Sequence, residues 1–432
     1  MKNNRELFKD IIGYDDIKKT LKRTIDVLNN QEKYKKLGST IPHGLFIYGP
    51  PGTGKTSLSL EIIDNVKMKP YIIRKTKSDG SFIDYLNQIF EEAKNNQPAI
   101  ILLDDLDKFS ENEEKTNSEE FVAVQALIDD TKNKNIFVIA TANDKKVLPP
   151  SLIRSGRFDI KISVDNPDEK DSLKIIEYYL KGKKLAKDVN IKNISYILSN
   201  PSCADLEKIC NQAGIYAGYK NKKEIGMDEL IRAALEWAYS TNLEDIEEDN
   251  EYLINIAYHE AGHALIGELL EPGIVSFITV AENDSNTGGI TILHNNDNYF
   301  YDIKFMKNKV KTLLGGKAAT EIVFNTCDVG SNSDLRRVYS IVRRFVDDYC
   351  MLGFDSWLYS FDETSEKVKE SKDNKTNKLV LDYYTEVKEL LLKNRYTLDV
   401  LANILKEKKI LFHDEIEEIF KNSNKYDKMT KN

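Results

Sequence analysis

The sequence predicts a parallel α/β sheet flanked by helices in the first part of the chain and a helical region near its end. Two observations lead to this prediction. Short uninterrupted apolar runs, as at Gly44–Tyr48 and Ala99–Leu103, are typical of buried parallel strands. Further along the chain, apolar residues such as Leu379, Tyr383 and Val387 recur at helical spacing.

The composition is that of an ordinary globular protein. Its 432 residues are enough for two or three domains, each with its own core. The formal net charge of −8 argues against nucleic acid as a general partner, because a phosphate-binding surface needs a basic excess. A local basic patch is still compatible with this charge.

Cysteines and hydropathy predict the compartment. Four cysteines, at positions 203, 210, 327 and 350, show no C-x-x-C spacing and predict reduced thiols in a cytoplasmic chain. No apolar stretch approaches the roughly 18 residues of a membrane span, and the segment Met1–Leu7 lacks the apolar core of a signal peptide. We therefore expect no membrane span in this chain, and membrane association only through a partner.

The first chemical motif follows the apolar run Gly44–Tyr48 and precedes an amphipathic stretch, Ser57–Val66, that predicts a helix. It fits G-x-x-x-x-G-K-[ST] and reads Gly49-Pro50-Pro51-Gly52-Thr53-Gly54-Lys55-Thr56. A strand, loop and helix in this order indicate a phosphate-binding loop, in which backbone N–H groups and the helix N-terminus hold the phosphates of ATP. Lys55 would reach the β- and γ-phosphates, and the Thr56 hydroxyl would bind Mg²⁺. The alternative is a glycine-rich turn.

Two further apolar runs end in polar residues. The run Ala99–Leu103 is followed by Asp104, which would hold Mg²⁺ directly or through water, and by Asp105, which would polarise the attacking water. The run Ile136–Ala140 leads to Asn143, which can orient that water near the γ-phosphate. The alternatives are a polar strand end at the surface for the two aspartates and a turn residue for the asparagine.

Two arginines follow the asparagine in the run Leu152–Asp159. Arg154 and Arg157 suit an arginine finger that one subunit offers to the γ-phosphate of its neighbour. Their alternative is a pair of surface salt bridges.

The second chemical motif is the run His259-Glu260-Ala261-Gly262-His263. Two histidines four residues apart lie on the same helix face, where one zinc ion can take a nitrogen from each. Glu260 can act as the base for a metal-bound water, which is the arrangement of H-E-x-x-H zinc hydrolases. The alternative is a helix that contains two histidines, one of them buried and hydrogen-bonded.

The order of the motifs resembles that of a known family. The nucleotide motifs, followed by Ala-Thr-Ala-Asn and Arg-Ser-Gly-Arg-Phe-Asp, resemble an AAA+ ATPase. Coupled to H-E-x-x-H, the chain from about Leu7 to about Phe420 resembles the FtsH family of ATP-dependent zinc metalloproteases. The resemblance implies an AAA+ fold with a helical lid, followed by a mainly α-helical zinc metallopeptidase domain. It also implies ATP, Mg²⁺ and Zn²⁺ as cofactors, polypeptide substrates and a homohexamer.

The third zinc ligand also comes from the resemblance. The run Gly330–Leu335 is similar to the family's G-A-S-N-D-I, whose aspartate binds zinc, so that Asp334 becomes the candidate ligand. Its alternative is a first-turn aspartate that is stabilised by the helix dipole. His294 is a possible competing ligand, but we expect it to be a solvated loop residue.

The resemblance and the composition together predict the domain organisation. The stretch Leu243–Asp249 predicts a solvated acidic linker, and Phe361–Lys378 predicts a mobile polar loop. The predicted regions are the large ATPase subdomain at 1–165, the helical lid at 166–242, the metallopeptidase domain at 243–424 and a flexible tail at 425–432.

The chain departs from the family's pattern at several points. The family begins with transmembrane helices, whereas this chain starts almost at the ATPase region. Asp105 replaces a glutamate, the segment 73–81 lacks the aromatic of the family's pore loop, Ile128–Thr131 replaces its Asp-Gly-Phe signal, and Cys203 replaces a glycine. These changes predict slow ATP hydrolysis and weaker pulling on substrates.

The leading hypothesis is an ATP-dependent zinc endopeptidase that degrades unfolded or misfolded proteins as a ring-shaped oligomer. Two alternatives remain open. One is a peptidase of unfolded chains that uses nucleotide mainly for assembly. The other is an AAA+ remodelling protein in which the zinc is structural.

Overall fold

The computed structural model describes residues 7–75, 81–110, 118–241, 243–244, 246, 252–281, 288–294, 302–326, 330–353 and 366–429. The chain divides into two compact units. The first consists of Met1–Leu185 with Asn200–Tyr219, and the second of Ala186–Ser199 with Lys220–Asn432. None of the described helices is long and apolar enough to cross a bilayer.

The first unit contains a five-stranded sheet in which every pairing is parallel. Its strand order is β2-β3-β4-β1-β5. The strands are β1 (Gly44–Tyr48), β2 (Lys69–Ile73), β3 (Ala99–Leu103), β4 (Ile136–Ala142) and β5 (Ile160–Ser163). Alternate residues of β4 enter separate cores: Val138 packs on one face with Phe46, and Phe137 packs on the other with Leu45. Both faces are therefore covered, which explains the uninterrupted apolar runs.

Helices flank this sheet, and the predicted parallel sheet with flanking helices is confirmed. Several helices begin at a side-chain cap, such as Ser118, which accepts a hydrogen bond from the N–H of Phe121. The helices of the first unit are α1 (Asp15–Asn29), α2 (Gln31–Lys35), α3 (Lys55–Asn65), α4 (Phe82–Asn95), α5 (Glu119–Asp129), α6 (Glu169–Leu180) and α8 (Cys203–Tyr219).

The parallel arrangement brings the predicted nucleotide motifs to one edge of the sheet. Tyr48, at the end of β1, is in register with Ala142, at the end of β4, and Leu103, at the end of β3, is in register with Ala140. The phosphate-binding loop, the two aspartates and Asn143 follow these strands. They share the carboxyl edge, where open parallel sheets bind ligands.

The second unit is mainly helical. Its central helix, α10 (Leu253–Leu270), is buried almost all round, because α11 (Ile303–Phe324), α14 (Arg395–Lys408) and strands pack against it. Its other helices are α7 (Ile191–Ile197), α9 (Met227–Tyr239), α12 (Asn332–Asp347), α13 (Glu366–Lys393) and α15 (His413–Met429).

A small antiparallel sheet completes the second unit. Its strands are β6 (Val275–Thr279), β7 (Ile290–Leu293) and β8 (Ile410–Phe412), in the order β7-β6-β8.

The region predicted as a single helical lid, 166–242, divides between the two units. Its helices α6 and α8 belong to the first unit, and α7 and α9 belong to the second. The domain boundaries stay predictions. Most of the predicted linker Leu243–Asp249 lies outside the described residues.

The loop predicted at Phe361–Lys378 is wrong in its described part. The helix α13 begins at Glu366 and continues through this polar stretch. Tertiary contacts explain the helix, since Lys372 is buried and lies 3.3 Å from Asp347, and Asp373 lies 3.4 Å from Arg343. A polar segment that forms ion pairs along a neighbouring helix does not need an apolar periodicity of its own.

Candidate metal centre and phosphate-binding site

The metal centre lies where α10 meets α12. Two ligand candidates, His259 and His263, come from α10, and the third, Asp334, comes from the first turn of α12. Their ligand atoms lie within 4.8 Å of one another. The two Nε2 atoms are 3.0 Å apart, and they lie 3.3 and 3.2 Å from Oδ2 of Asp334. Tetrahedral zinc places its nitrogen and oxygen ligands about 3.3 Å apart, so the geometry fits one such ion.

The orientation of His263 is set by its other ring nitrogen. Its Nδ1 lies 2.7 Å from the carbonyl oxygen of Thr312 on α11, and only the protonated nitrogen can donate to a carbonyl. This tautomer leaves Nε2 unprotonated and directed at the centre, as a metal ligand requires. Sequence patterns could not indicate Thr312, because the interaction uses a backbone atom 49 residues away.

Glycines allow α11 to approach the two histidines. A Cβ atom on Gly316 would lie 2.5 Å from Nε2 of His259 and 2.6 Å from Nε2 of His263. Gly262 and Gly315 meet backbone to backbone, because a Cβ on either would overlap the carbonyl oxygen of the other. The consecutive glycines Gly315 and Gly316, inside a helical pattern, are the sequence signal that could have predicted this close crossing.

Glu260 is buried beside the ligand cluster. Its Oε2 accepts a hydrogen bond of 2.5 Å from the hydroxyl of Thr291 on β7. Burial raises the pKa of Glu260, whereas the two histidines and the Thr291 hydroxyl act in the opposite direction. Gly289, with a φ of 81°, leaves room for this carboxyl group, since a Cβ there would lie 2.5 Å from Oε1. The position and the elevated pKa suit a general base.

A cavity of about 360 Å³ opens onto these groups. Its wall includes the ligand cluster, Glu260, the segment Gly288–Leu293 and Arg337 of α12. The described strands leave β7 at an edge, because it pairs with β6 alone. His294 follows β7 and does not join the ligand cluster, and its ring lies edge-on to Tyr196 with 6.3 Å between the centroids.

The phosphate-binding loop connects β1 to α3. The ammonium group of Lys55 donates to the carbonyl oxygens of Gly49 at 2.8 Å and Pro50 at 2.7 Å. Gly54, with a φ of 88°, caps the N-terminus of α3. Burial lowers the pKa of Lys55, and the nearby aspartates partly offset this effect. The lysine is therefore directed into the loop where phosphates would lie.

Asp104 is the centre of a buried hydrogen-bond network. Its Oδ1 accepts from the hydroxyl of Thr56 at 2.9 Å and from that of Thr141 at 2.7 Å. Its Oδ2 lies 2.6 Å from the guanidinium of Arg74. The structure thus brings together the two predicted Mg²⁺ ligands, Thr56 and Asp104. It also adds two residues that the sequence reasoning missed, although Thr141 lies within the Ala-Thr-Ala-Asn run.

Of the remaining residues singled out in the sequence, Asp105 contacts this network directly. Asp105 has a φ of 56°, its N–H donates to the Thr141 hydroxyl at 2.8 Å, and its carboxylate lies 2.7 Å from Lys108. Asn143 is half-buried and directly follows β4. Cys203 lies 3.4 Å from the hydroxyl of Tyr14, and burial raises the pKa of its thiol.

The two arginines differ in exposure. Arg154 is exposed, whereas Arg157 is 5% exposed and bound within its own chain. The guanidinium of Arg157 donates to Asp129 at 2.6 and 3.0 Å and to Gln125 at 2.8 Å. This pairing holds the pKa of Asp129 well below its usual range. Of the two arginines, only Arg154 therefore has an exposed side chain.

The segment predicted as an altered pore loop is described only in part. Ile73 ends β2, and the described chain continues through Arg74 and Lys75. Residues 76–80 lie outside the described residues. That this loop lacks an aromatic side chain is therefore known from the sequence alone.

Family comparisons agree with the two sites. Residues 45–166 match the ATPase family associated with various cellular activities (AAA), and residues 246–419 match peptidase family M41. The first match covers the phosphate-binding loop and Asp104, and the second covers the three candidate metal ligands and Glu260.

Similar proteins extend over almost the whole chain. A protein named ATP-dependent zinc metalloprotease FtsH 2, from Thermoanaerobacter sp. (strain X514), is 31% identical over 96% of this chain and 83% of its own length. ATP-dependent zinc metalloprotease FtsH 1 of Phytoplasma mali (strain AT) is 30% identical over 97% of this chain and 71% of its own length. The Bacillus subtilis (strain 168) protein named ATP-dependent zinc metalloprotease FtsH is 28% identical over 96% of this chain and 70% of its own length.

Proposed function

Because the chain belongs to the FtsH family of ATP-dependent zinc metalloproteases, we propose that it degrades unfolded or misfolded polypeptides as a homohexameric ring. The resemblance predicted from the motif order is thereby confirmed, as are ATP, Mg²⁺ and Zn²⁺ as cofactors. The observation that carries the proposal is the convergence of three ligand atoms within 4.8 Å, next to the buried Glu260.

His259, His263 and Asp334 hold the zinc ion in this proposal. Zinc supplies Lewis acidity, which polarises the scissile carbonyl and acidifies a water molecule. Glu260 accepts the proton of the attacking water at a carboxylate oxygen and donates it to the nitrogen of the leaving amine. The elevated pKa of Glu260 supports both transfers, and the hydroxyl of Thr291, at 2.5 Å, holds the carboxyl group in place.

The edge strand β7 binds the substrate in this proposal. It lines the cavity beside Glu260, and among the described strands it pairs with β6 alone. An extended peptide can pair with its free edge through backbone hydrogen bonds, which bind many sequences alike. A protease that acts on unfolded chains needs this tolerance.

At the nucleotide site, Lys55 binds the phosphates, while Thr56 and Asp104 hold Mg²⁺. Asp105 and Asn143 position the attacking water, and Arg154 reaches the γ-phosphate bound by the next subunit. Arg157 was predicted to act with Arg154. Its burial against Asp129 supports a different role, in which it fixes the segment that carries Arg154.

A second candidate is a peptidase of unfolded chains that uses nucleotide mainly for assembly. Two observations favour it. Asp105 is one methylene shorter than glutamate, and its carboxylate is paired with Lys108 at 2.7 Å. Both features keep the charge away from an attacking water and slow hydrolysis.

The test compares cleavage of unfolded casein and of a tightly folded substrate, each with and without ATP. Glu260→Gln should lose about 10²–10⁴-fold in cleavage rate while retaining its ATPase activity. Asp104→Asn is the matched control for the other site, since it should lose ATPase activity and retain cleavage of short peptides. Undiminished cleavage by Glu260→Gln would exclude the assignment. Cleavage of casein without destruction of the folded substrate would favour the second candidate.

The cellular location stays a prediction. The described cysteines, Cys203, Cys210 and Cys350, are free thiols, which supports a reducing compartment such as the cytoplasm. Association with a membrane through a partner is likewise a prediction.

A further inference from the structure

Among its described lining residues, the catalytic cavity has one arginine and no lysine. Arg337 lines the cavity together with both histidines, Glu260 and Asp334. It lies on α12 three residues after Asp334, and residues at this spacing share one helix face. Arg337 therefore lies on the same side of α12 as the candidate metal ligand.

The charge of Arg337 has no partner among the described residues. Other arginines of α12 are paired, since Arg343 lies 3.5 Å from Asp347 and Arg344 lies 3.4 Å from Asp348. Arg337 is exposed, and no described acidic group lies within ion-pair distance of it. A bound divalent ion would balance the charges of Asp334 and Glu260, so among the described lining residues the guanidinium is the charge without a counter-charge.

We propose that Arg337 is a specificity residue that pairs with a carboxylate of the substrate close to the scissile bond. A planar guanidinium binds a carboxylate through two parallel hydrogen bonds, and such charge-assisted bonds are about twice as strong as neutral ones. The cavity of about 360 Å³ is large enough for several side chains of an extended peptide. The carboxylate belongs either to an Asp or Glu side chain or to the C-terminus of the substrate. This inference rests on the proposed peptidase function.

The first experiment measures cleavage of short unfolded peptides. Paired peptides differ by Glu against Gln at each position flanking the scissile bond, and a second pair compares a free C-terminus with an amidated one. Wild-type protein should prefer the carboxylate peptide by about tenfold in kcat/KM at low salt. Loss of this preference on amidation identifies the terminal carboxylate, and loss with internal Gln identifies a side chain.

Variants locate the preference. Arg337→Gln should abolish it, and Arg337→Glu should reverse it in favour of peptides with Lys at the same position. Arg336→Gln is the matched control, because Arg336 is an exposed neighbour on α12 that does not line the cavity. Zinc content and ATPase rate show that each variant is folded.

A binding measurement separates this inference from the proposed function. Equilibrium binding of the same peptides to Glu260→Gln protein, followed by fluorescence anisotropy, needs no turnover and should show the same preference. Absence of cleavage in every protein would refute the peptidase function and leave this preference measurable. An equal preference in wild type and Arg337→Gln, or an equal fall in kcat for Glu and Gln peptides, would overturn the role of Arg337.

Discussion

The metal centre and the phosphate-binding site are held in place by different means. At the metal centre, backbone contacts set the geometry, since Gly262 and Gly315 meet directly and Gly316 lies against both imidazoles. At the phosphate-binding site, side-chain hydrogen bonds set it, since Thr56, Thr141 and Arg74 all converge on Asp104.

The difference follows from what each site binds. A resident metal ion needs fixed ligands through every cycle, and close-packed backbones cannot change their spacing without a rearrangement of the core. A nucleotide enters and leaves, so its site needs groups that can exchange partners. Arg74 is 56% exposed at its side chain and can leave Asp104, whereas Gly316 cannot move away from the histidines without shifting α11.

The largest expected effect is that of Gly316→Ala. The added Cβ would lie 2.5 Å from Nε2 of His259, so zinc affinity should fall by about a hundredfold or more, and proteolysis should fall with it. Zinc content after equilibration against a chelator measures this loss, and ATPase activity should persist. Gly218→Ala on α8 is the control, because a Cβ there meets nothing within 4 Å. Full zinc occupancy in Gly316→Ala would show that the backbone does not set this geometry.

The next effect concerns Thr141→Val at the other site. This change removes the hydroxyl that donates to Asp104 at 2.7 Å and accepts from the N–H of Asp105 at 2.8 Å. ATPase activity should fall about tenfold or more, and stability should fall by about 1–3 kcal/mol, because a buried carboxylate loses a donor. Steady-state ATP hydrolysis and thermal unfolding measure the two effects.

The control for Thr141→Val is a second buried threonine of the same unit. Thr24, on α1, donates to the carbonyl oxygen of Thr20 at 3.0 Å and belongs to none of the nucleotide motifs. Thr24→Val removes a buried hydroxyl from the same unit and should retain ATPase activity. Equal ATPase rates in Thr141→Val and wild type would contradict a role for this hydroxyl in the site.

A smaller effect is expected from Arg74→Gln. The guanidinium lies 2.6 Å from Oδ2 of Asp104. We expect it to compete with Mg²⁺ for this oxygen. Removal of the guanidinium should lower the Mg²⁺ concentration for half-maximal ATPase activity by roughly threefold. The effect is small because the arginine is solvent-exposed and its ion pair is screened. Arg74→Lys keeps the charge and should behave like wild type. A higher Mg²⁺ requirement in Arg74→Gln would mean that Arg74 supports the site.

The smallest effect is a change in acid stability at the pair of Arg157 and Asp129. The guanidinium holds the pKa of Asp129 below its usual range, so the pair contributes full stability above the unfolded pKa of about 4. This contribution is lost as the pH falls further, towards the folded pKa. Arg157→Gln should therefore cost about 1 kcal/mol at pH 7, after allowance for solvent screening, and progressively less in acid.

Urea unfolding at neutral and at acidic pH measures this effect. Lys132→Gln is the control, since Lys132 lies 2.6 Å from the same carboxylate but is 42% exposed at its side chain and should matter less. A stability difference between Arg157→Gln and wild type that does not depend on pH would contradict the ion-pair explanation.

The sequence predicted the groups that do chemistry better than the groups that hold them. His259 and His263 follow from their spacing, and Lys55 from its motif, because local sequence fixes both. Asp334 lies 75 residues from His259, and only the family resemblance connected them. Nothing in the sequence joined Thr291 to Glu260, since that contact depends on how β7 packs beside α10.

The error at α13 has the same origin. Its N-terminal half is polar, and composition alone favoured a loop. Its helix depends on partners such as Asp347 and Arg343 on α12, which lie nearby only in the folded chain. Local sequence patterns therefore predicted secondary structure correctly where the residues of the segment itself determine it. They failed at α13, where contacts with another helix determine it.

The contact between Gly262 and Gly315 also bears on motion. No side chain separates the two backbones, so rotamer changes, which occur within nanoseconds in exposed residues, cannot alter the spacing of α10 and α11. We therefore expect the imidazoles that α10 carries to keep their positions while exposed side chains of the cavity wall, such as Arg337, change rotamer. Differences in turnover between substrates should then arise from their contacts with the cavity wall, because the positions of the metal ligands do not change.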